Sequence, residues 1–549
     1  MKPILRIFSA VLAAWLGTRA SQAAAPQAQH DAGKEFAIEL LPDEFWWGGL
    51  SADGALMPFG QNTDVERDLC ANNAGNQASP LLISSKGRYI WSEMPFAYHF
   101  KEGKLTLKNI LGEVVQGQSG KSLAEGFKEV SGKYFPSNGK IPDPLLFTKP
   151  QYNTWIELTY NQNEKDIQTY ASSIIAKGYP AGALMIDDNW QTNYGDWTFS
   201  AARFNSPKKM ISDLHAEGFK VMLWVCPFVT ADTKIFRFLA AEGMLHLDPE
   251  RTQEILWANT QNKAAIIRWW NGASAMLDLT NPKSFAWFEK QLDHLVDEYG
   301  VDGFKFDAGD ADFYKGGILS FKETIPNDHT TDFGRLGLKY PLNEYRASWK
   351  LAGQPLAQRL RDKRHVWEDL EELVPGMLAQ GLMGYAYTCP DMIGGGEYQS
   401  FIKLDNIDQE LVVRSAQVHA LMPMMQFSVA PWRVLSPQNN TVCCEMAKLH
   451  TEFGEEILKL AKQSSKTGEP IVKPLCWFWP ENGYEQIHDQ FILGSDLMVA
   501  PVTKKGARSR EVVFPEGTWH GDDGSTVTGP QKISIEVPLS RLAYYRKIK

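Results

Sequence analysis

Ser206-Pro-Lys-Lys-Met-Ile-Ser-Asp-Leu-His-Ala-Glu-Gly-Phe-Lys-Val-Met-Leu-Trp-Val-Cys226 contains one complete helix-then-strand unit. Ser206 is a natural N-cap and Pro207 suits the first helical position. Met210, Ile211 and Leu214 then fall on one helical face, Gly218 stops the helix, and Lys220 to Cys226 reads as a strand. The plan repeats on both sides. Upstream, Ile167, Tyr170, Ala171, Ile174 and Ile175 share a helical face, and Gly178 precedes a strand at Ala183 to Ile186. Downstream, residues 230 to 281 carry Trp257, Trp269 and Trp270 without a period, as expected of an insertion at the C-terminal end of a strand. Asn281-Pro282 then start a helix with Phe285, Phe288, Leu292, Leu295 and Tyr299 inward, followed by a strand at Gly303 to Phe306. Further units lie at Val366 to Leu382 with Tyr385 to Thr388, and at Gln409 to Leu421 with Met424 to Phe427. Short strands alternating with helices imply a parallel sheet, so 151–465 is expected to form a (β/α)8 TIM barrel, ahead of a doubly wound sheet.

The flanks have a different texture. Over 36–143, short apolar runs such as Pro80 to Ser84, Arg88 to Trp91 and Leu105 to Leu107 are broken by Gly103 and Gly112, which predicts an N-terminal β-sandwich. Over 468–549, the runs Gln490 to Leu493, Leu497 to Pro501, Glu511 to Phe514 and Ile533 to Val537 predict a C-terminal β-sandwich. A length of 549 residues agrees with three or four domains of about 150 residues each. With 44 % hydrophobic and 22 % charged residues the chain is globular rather than disordered, and a net charge of -9 argues against nucleic acid as a partner. Residues 1–23 read as an export signal: Lys2 and Arg6 are followed by an apolar run and by small residues at Ser21 to Ala25. That run is too short to span a membrane, so a periplasmic or secreted protein is expected. The six cysteines show no zinc-type CxxC pair, and the fold is not expected to depend on disulfides. No cofactor is implied, and the oligomeric state is open.

In a barrel of this kind the chemistry sits at the C-terminal ends of the strands. Asp187 and Asp188 end one strand, Asp307 ends another, and Asp391 follows Tyr385-Ala-Tyr-Thr-Cys-Pro. One such acid can simply cap a helix or make a turn. Acids converging from separate strands suit either glycoside hydrolysis, which needs an attacking carboxylate and a proton donor, or a divalent cation held by carboxylates. The 18 Trp residues offer flat apolar faces for sugar rings and favour the first.

At these residues the chain resembles glycoside hydrolase family 31, the retaining α-glycosidases. Asp302-Gly-Phe-Lys-Phe-Asp307 is similar to the family's nucleophile strand, and Val366-Trp-Glu-Asp-Leu with Leu373 to Gly384 and Asp391-Met-Ile-Gly-Gly is similar to the stretch after its acid/base residue. Counting back five residues from Trp367 places Asp362 at the acid/base position, although Arg361-Asp-Lys stands where most members have Gly-Asp-Asn. Asp489 to Pro501 resembles the start of the family's C-terminal domain.

The resemblance implies Asp307 as nucleophile, Asp362 as acid/base, and Asp187 and Asp391 as acids of the sugar pocket, with Asp188 beside them. Trp155 and Trp224 are candidates for the pocket wall, and Lys305 and Arg359 for substrate contacts. The cluster Arg359, Arg361, Lys363 and Arg364 around Asp362 must point away, pair with other acids or bind substrate, because a close cation opposes protonation of an acid. Ser428 stands where the family's α-glucosidases carry a pocket His. Ile186-Asp-Asp-Asn-Trp190, Lys305-Phe-Asp-Ala-Gly-Asp310 and Phe45 to Ala55 resemble the family's short α-galactosidase-like branch instead. The expected function is therefore exo-acting hydrolysis of terminal α-galactosides. An α-glucosidase, an α-xylosidase, a carboxylate-metal enzyme or an inactive sugar-binding relative are the alternatives.

Overall fold

The apolar runs of the middle segment become the staves of one parallel sheet in the computed structural model, which describes residues 35–250, 263–403 and 407–549. The export signal expected over 1–23, and Trp257, lie outside the described residues. The staves are β1 (Gln151–Asn153), β2 (Ala183–Ile186), β3 (Lys220–Val225), β4 (Gly303–Phe306), β5 (Leu342–Tyr345), β6 (Gln358–Arg359), β7 (Thr388–Cys389) and β8 (Gln426–Phe427). Their spatial order is β7-β6-β5-β4-β3-β2-β1-β8. Between β7 and β8 the ring is closed by the Ile393 N–H, which donates to the Gln426 carbonyl at 2.8 Å. This is the TIM barrel that the alternation of elements predicts.

Local chemistry explains most of the units. Asn163 accepts the Asp166 N–H and starts the helix Glu164–Ala176, which buries Ile167, Tyr170, Ala171 and Ile174 against the strands. Ile175 lies off that stripe and is 42 % exposed, so it does not join the core. Asn281 accepts the Lys283 N–H to start Pro282–Tyr299, and Gly300 ends it in the left-handed region at φ +81°. The helix Pro207–Ala216 begins where expected, but the Ser206 hydroxyl does not cap it. The Glu164 carboxylate of the preceding unit accepts the Asn205 and Ser206 N–H groups, at 2.8 Å each, and so fixes the chain just before the helix begins.

β5 and β6 carry no apolar signature because the barrel interior beside them is polar. Arg359 donates to Glu344 at 3.1 Å, and Gln426 donates to the other Glu344 oxygen at 2.5 Å and to Gln151 at 3.2 Å. The insertion after β3 forms a three-stranded antiparallel sheet of Phe228–Thr230, Ile266–Trp269 and Gly272–Met276. Its tight hairpin turns at Trp270-Asn271 over the open end of the barrel.

The N-terminal domain has a four-stranded sheet and a second sheet in which Gln77–Ser84 is central, with Arg88–Ser92 and Trp46–Leu50 beside it. The barrel itself contributes Ser348–Trp349 to that second sheet, paired in parallel with Gln77 and Ala78. The C-terminal domain is a six-stranded sheet containing the long hairpin Ser509–Gly521 and Thr526–Glu536. All six cysteines are free thiols, including the neighbours Cys443 and Cys444. Among the described residues no helix is long and apolar enough to cross a membrane.

Candidate active site

The C-terminal ends of the strands surround a cavity of about 230 Å³. Trp155 and Tyr160 follow β1, Asp187 and Asp188 follow β2, Trp224 lies in β3, and Lys305 and Asp307 belong to β4 and its end. Arg346 follows β5, Asp362 follows β6, and Gly396, Glu397 and Tyr398 follow β7. Trp270 of the insertion hairpin completes the rim. Strand geometry sends alternate side chains to opposite faces, so residues just past the strand ends are the ones able to converge.

Asp307 sits at the base of the cavity, its side chain 14 % exposed. One oxygen accepts from the Arg346 Nε at 2.9 Å and from the Ala308 N–H at 2.9 Å, and the other from the Trp224 indole N–H at 2.9 Å. Burial pushes this carboxyl up, but the charges of Arg346, Lys305 and Arg359 and the indole hydrogen bond outweigh it and hold the group well below the usual carboxylate range. Asp307 is therefore a carboxylate at any working pH. Ala308 directly after it takes φ +59°, a left-handed conformation rare for a residue with a Cβ, which redirects the chain beyond the N–H that Asp307 holds.

Asp187 and Lys305, both nearly fully buried, are joined at 2.6 Å. Beside them Asp188 accepts from the Tyr194 hydroxyl at 3.0 Å and from the Asn271 amide at 2.5 Å. Burial and then the neighbouring Asp187 charge push Asp188 up to about 7. Asn271 also accepts from the Tyr160 hydroxyl at 2.8 Å, and Arg346 lies 5.0 Å over the Trp270 ring. The hairpin tip therefore touches opposite walls of the cavity.

Asp362 is the most open of the acids, with its side chain 43 % exposed. It pairs with Arg359 at 2.8 Å, while Lys363 pairs with Glu372 and Arg364 with Asp369. Most of the basic cluster is thus occupied by acids. Arg359 and Asp391, expected to contact substrate, do not line the cavity. Arg359 is 1 % exposed and spends its N–H groups on Glu344, Asp362, Asp391 and the Leu360 carbonyl. Asp391 is fully buried and accepts from Arg359, the Lys363 N–H and the Gly396 N–H. Both orient the wall behind Asp362. The Phe45 to Ala55 stretch supplies no lining residue either; it lies in the N-terminal sheet and the short helix after it. Ser428 follows β8 but is buried, and its hydroxyl accepts the Ile156 N–H at 2.8 Å.

Sequence reasoning missed Arg346, Tyr160, Trp270, Asn271 and Tyr398. Arg346 carried one usable signal, a cation just after a strand end; the others sit in aperiodic loops.

Residues 145–365 match the model for the glycosyl hydrolases family 31 TIM-barrel domain, and residues 468–547 the model for the family 31 C-terminal domain. The myogenesis-regulating glycosidase of Mus musculus is 29 % identical over 78 % of this chain and 60 % of its own length. An α-xylosidase of Emericella nidulans is 22 % identical over 85 % of this chain, and again 60 % of the relative is covered. The chain thus spans less than two thirds of the length of these relatives. Among solved structures, the Flavobacterium johnsoniae GH31 dextranase in complex with glucose superposes with a TM-score of 0.79 at 18 % identity, covering 93 % of this chain and 66 % of its own. The barrel, the carboxylates at its open end and both domain matches agree: this chain belongs to glycoside hydrolase family 31.

Proposed function

We propose that the protein is a retaining, exo-acting α-glycosidase that prefers terminal α-galactosides, with Asp307 as nucleophile and Asp362 as acid/base. The observation that carries this reading is the contrast between two acids on one cavity. Asp307 is enclosed and held as a carboxylate by Arg346, Lys305, Arg359 and Trp224, whereas Asp362 stands at the open side. In the first step an Asp307 oxygen bonds to the anomeric carbon while the Asp362 carboxyl donates its proton to the departing glycosidic oxygen. In the second, Asp362 takes a proton from water as the water oxygen displaces Asp307. The exposure of Asp362 suits a group that meets both the leaving group and incoming water. A cavity of about 230 Å³ is smaller than the roughly 300–1,000 Å³ clefts that take drug-sized ligands, which favours a single sugar ring and hence action at chain ends.

The paired Lys305 and Asp187, with Asp188 beside them, support the galactoside preference, because they offer fixed polar partners to one orientation of a hydroxyl. Ser428 is engaged with the Ile156 backbone, so no imidazole acts from that position. A polar group left unpaired by the wrong epimer costs about 1–3 kcal/mol, roughly tenfold to over a hundredfold in rate. The carboxylate-metal alternative is disfavoured by pairing: Asp187, Asp307 and Asp391 each already face a cation of the chain. Measuring kcat/KM on paired 4-nitrophenyl α-galactoside and α-glucoside tests the sugar. A glucoside preference moves the protein to the glucosidase or xylosidase reading with Asp307 and Asp362 unchanged. Export through the N-terminal signal, to the periplasm or the medium, is part of the same proposal.

A further inference from the structure

Asn76 and Gln77 of the N-terminal domain are fully buried where it meets the barrel, and buried amides persist only where their hydrogen bonds are met. The Asn76 side-chain amide donates to the carbonyl oxygens of Arg346 at 2.8 Å and Arg359 at 3.1 Å. The Gln77 amide donates to the same two carbonyls, at 2.8 and 2.9 Å. The oxygen ends are held from behind. The Ser51 hydroxyl lies 3.2 Å from Asn76 Oδ1 and 3.1 Å from Gln77 Oε1, and Gln380 donates to Gln77 Oε1 at 2.6 Å. These contacts fix which way each amide faces.

The two carbonyls belong to the residues whose guanidinium groups hold Asp307 and Asp362. β5 and β6 share only the Tyr345–Gln358 pair, so the ladder does not extend to the ends that carry Arg346 and Arg359. The two amides stand in for the missing rungs. Two backbone features draw the same segment inward: Ser348–Trp349 pairs with Gln77 and Ala78, and the Gly75 carbonyl accepts from Arg346 Nη1 at 3.1 Å. Gly75 has φ +66°, and a Cβ there would stand 3.2 Å from that nitrogen.

We propose that Asn76 and Gln77 are positioning residues that set the spacing of Asp307 and Asp362 through the backbones of Arg346 and Arg359, so the N-terminal domain is part of the catalytic apparatus. This rests on the assignment of Asp307 and Asp362 as the reacting pair. A retaining reaction needs the two carboxyls about 5–5.5 Å apart, and a displacement of about 1 Å can cost about 10²-fold in rate.

The test uses the full chain and the aryl α-glycoside that the unsubstituted enzyme turns over fastest, whichever sugar that carries. Asn76→Leu and Gln77→Met remove the donors at similar volume. Because each amide serves both carbonyls, each single variant should lose kcat only several-fold. The double variant should lose about 10²-fold, more than the product of the singles, with KM within about threefold. Gln77→Glu keeps the shape but can donate to only one of the two carbonyls, through a single O–H, and only when protonated. Its kcat should therefore fall with rising pH where the unsubstituted enzyme is flat, at an assay temperature where melting curves at each pH show the variant fully folded, so that the loss is not one of folded fraction.

A folded double variant with unchanged kcat overturns the proposal, as does a loss that only tracks the folded fraction or a Gln77→Glu profile like that of the unsubstituted enzyme. If the double variant fails to fold, the single variants and Gln77→Glu decide. An active Asp307→Ala protein, or an unsubstituted protein that cleaves no glycoside, overturns the reacting pair and this inference together. An inactive Asp307→Ala beside a normal double variant overturns this inference alone.

Discussion

Replacing Arg346 by methionine should move the acid limb of activity to higher pH. The guanidinium lies 2.9 Å from Asp307 and also pairs with Asp310, and it is the strongest of the charges that oppose burial at Asp307. An opposite charge this close lowers a carboxyl by about 1–3 pK units, or roughly 1.4–4 kcal/mol. Lys305, Arg359 and the Trp224 N–H remain in the variant, so Asp307 should rise toward the ordinary carboxylate range and stay ionised at pH 7. The reacting form is the carboxylate, so a raised pKa means protonation, and loss of kcat/KM, at a higher pH on the acid side. Stability follows with the same sign. A carboxyl depressed in the folded state stabilises the protein above its unfolded value of about 3.9, and that stabilisation fades as pH falls through the folded value. Arg346→Met gives it up, and breaking a buried pair costs about 3–5 kcal/mol, so melting at pH 7 should also fall. The assay is kcat/KM between pH 3 and pH 8 at constant ionic strength, with melting curves at each pH and Arg346→Lys as a charge-retaining control. An Arg346→Met enzyme with the acid limb of the unsubstituted protein would refute the argument that Arg346 keeps Asp307 ionised.

Asp307→Asn or Asp307→Ala should lower turnover by at least about 10³-fold in a folded protein, read by kinetics alongside circular dichroism. Asp362→Ala should cost about 10²–10⁴-fold on glycosides with poor leaving groups. Activated aryl glycosides should lose less, and azide should restore part of the rate; equal losses without azide rescue would move the acid/base role to another residue. Asn271→Ala removes a hydrogen bond worth about 1.5–3 kcal/mol to Asp188, so kcat/KM should fall roughly tenfold to a hundredfold, mostly through KM. The same change should push Asp188 above about 7, because the lost bond favours its ionised form, and the pH profile of kcat/KM will show whether that limb shifts.

The sequence makes the barrel legible wherever its strands are apolar. Ala183 to Ile186 and Lys220 to Val225 bury almost every side chain, and the stripes facing them are equally plain. β5 and β6 escape because Glu344 and Arg359 place charged groups inside the barrel while Asn343 and Gln358 on the alternate face are polar as well, so neither face leaves an apolar period to detect. At the site, the strand-end acids Asp187, Asp188 and Asp307 line the cavity, whereas Asp391 and Arg359 of the basic cluster lie behind its wall, because charge alone does not distinguish a group that faces a cavity from one that holds its neighbour. Arg346 offers only its place after a strand end and Asn271 offers no signal, because their roles depend on contacts with residues 39 and 83 positions away in the chain, which the folded arrangement supplies.

The ring of strands is not uniformly sealed. Among the described residues β7 and β8 share no ladder; the seam holds the Ile393 N–H on the Gln426 carbonyl, the Gly394 N–H on the Ser415 hydroxyl at 2.9 Å, and the His419 imidazole, which lies 2.7 and 3.0 Å from the carbonyls of Ser415 and Asp391. Ser415 lies in the same helix as His419, so only the contact with Asp391 crosses to the end of β7; a neutral imidazole has one N–H, burial holds His419 down to about 4, and at neutral pH that bond is made only with the proton on Nε2. Amide hydrogens along this line should therefore exchange with deuterium before those of the β3–β4 pair, where four residues on each strand are in register. Gly396, Glu397 and Tyr398 hang from the same seam and form one wall of the cavity. This early-exchanging seam then lies beside the cavity, and the rate of its opening gives an upper bound on how often that wall can yield.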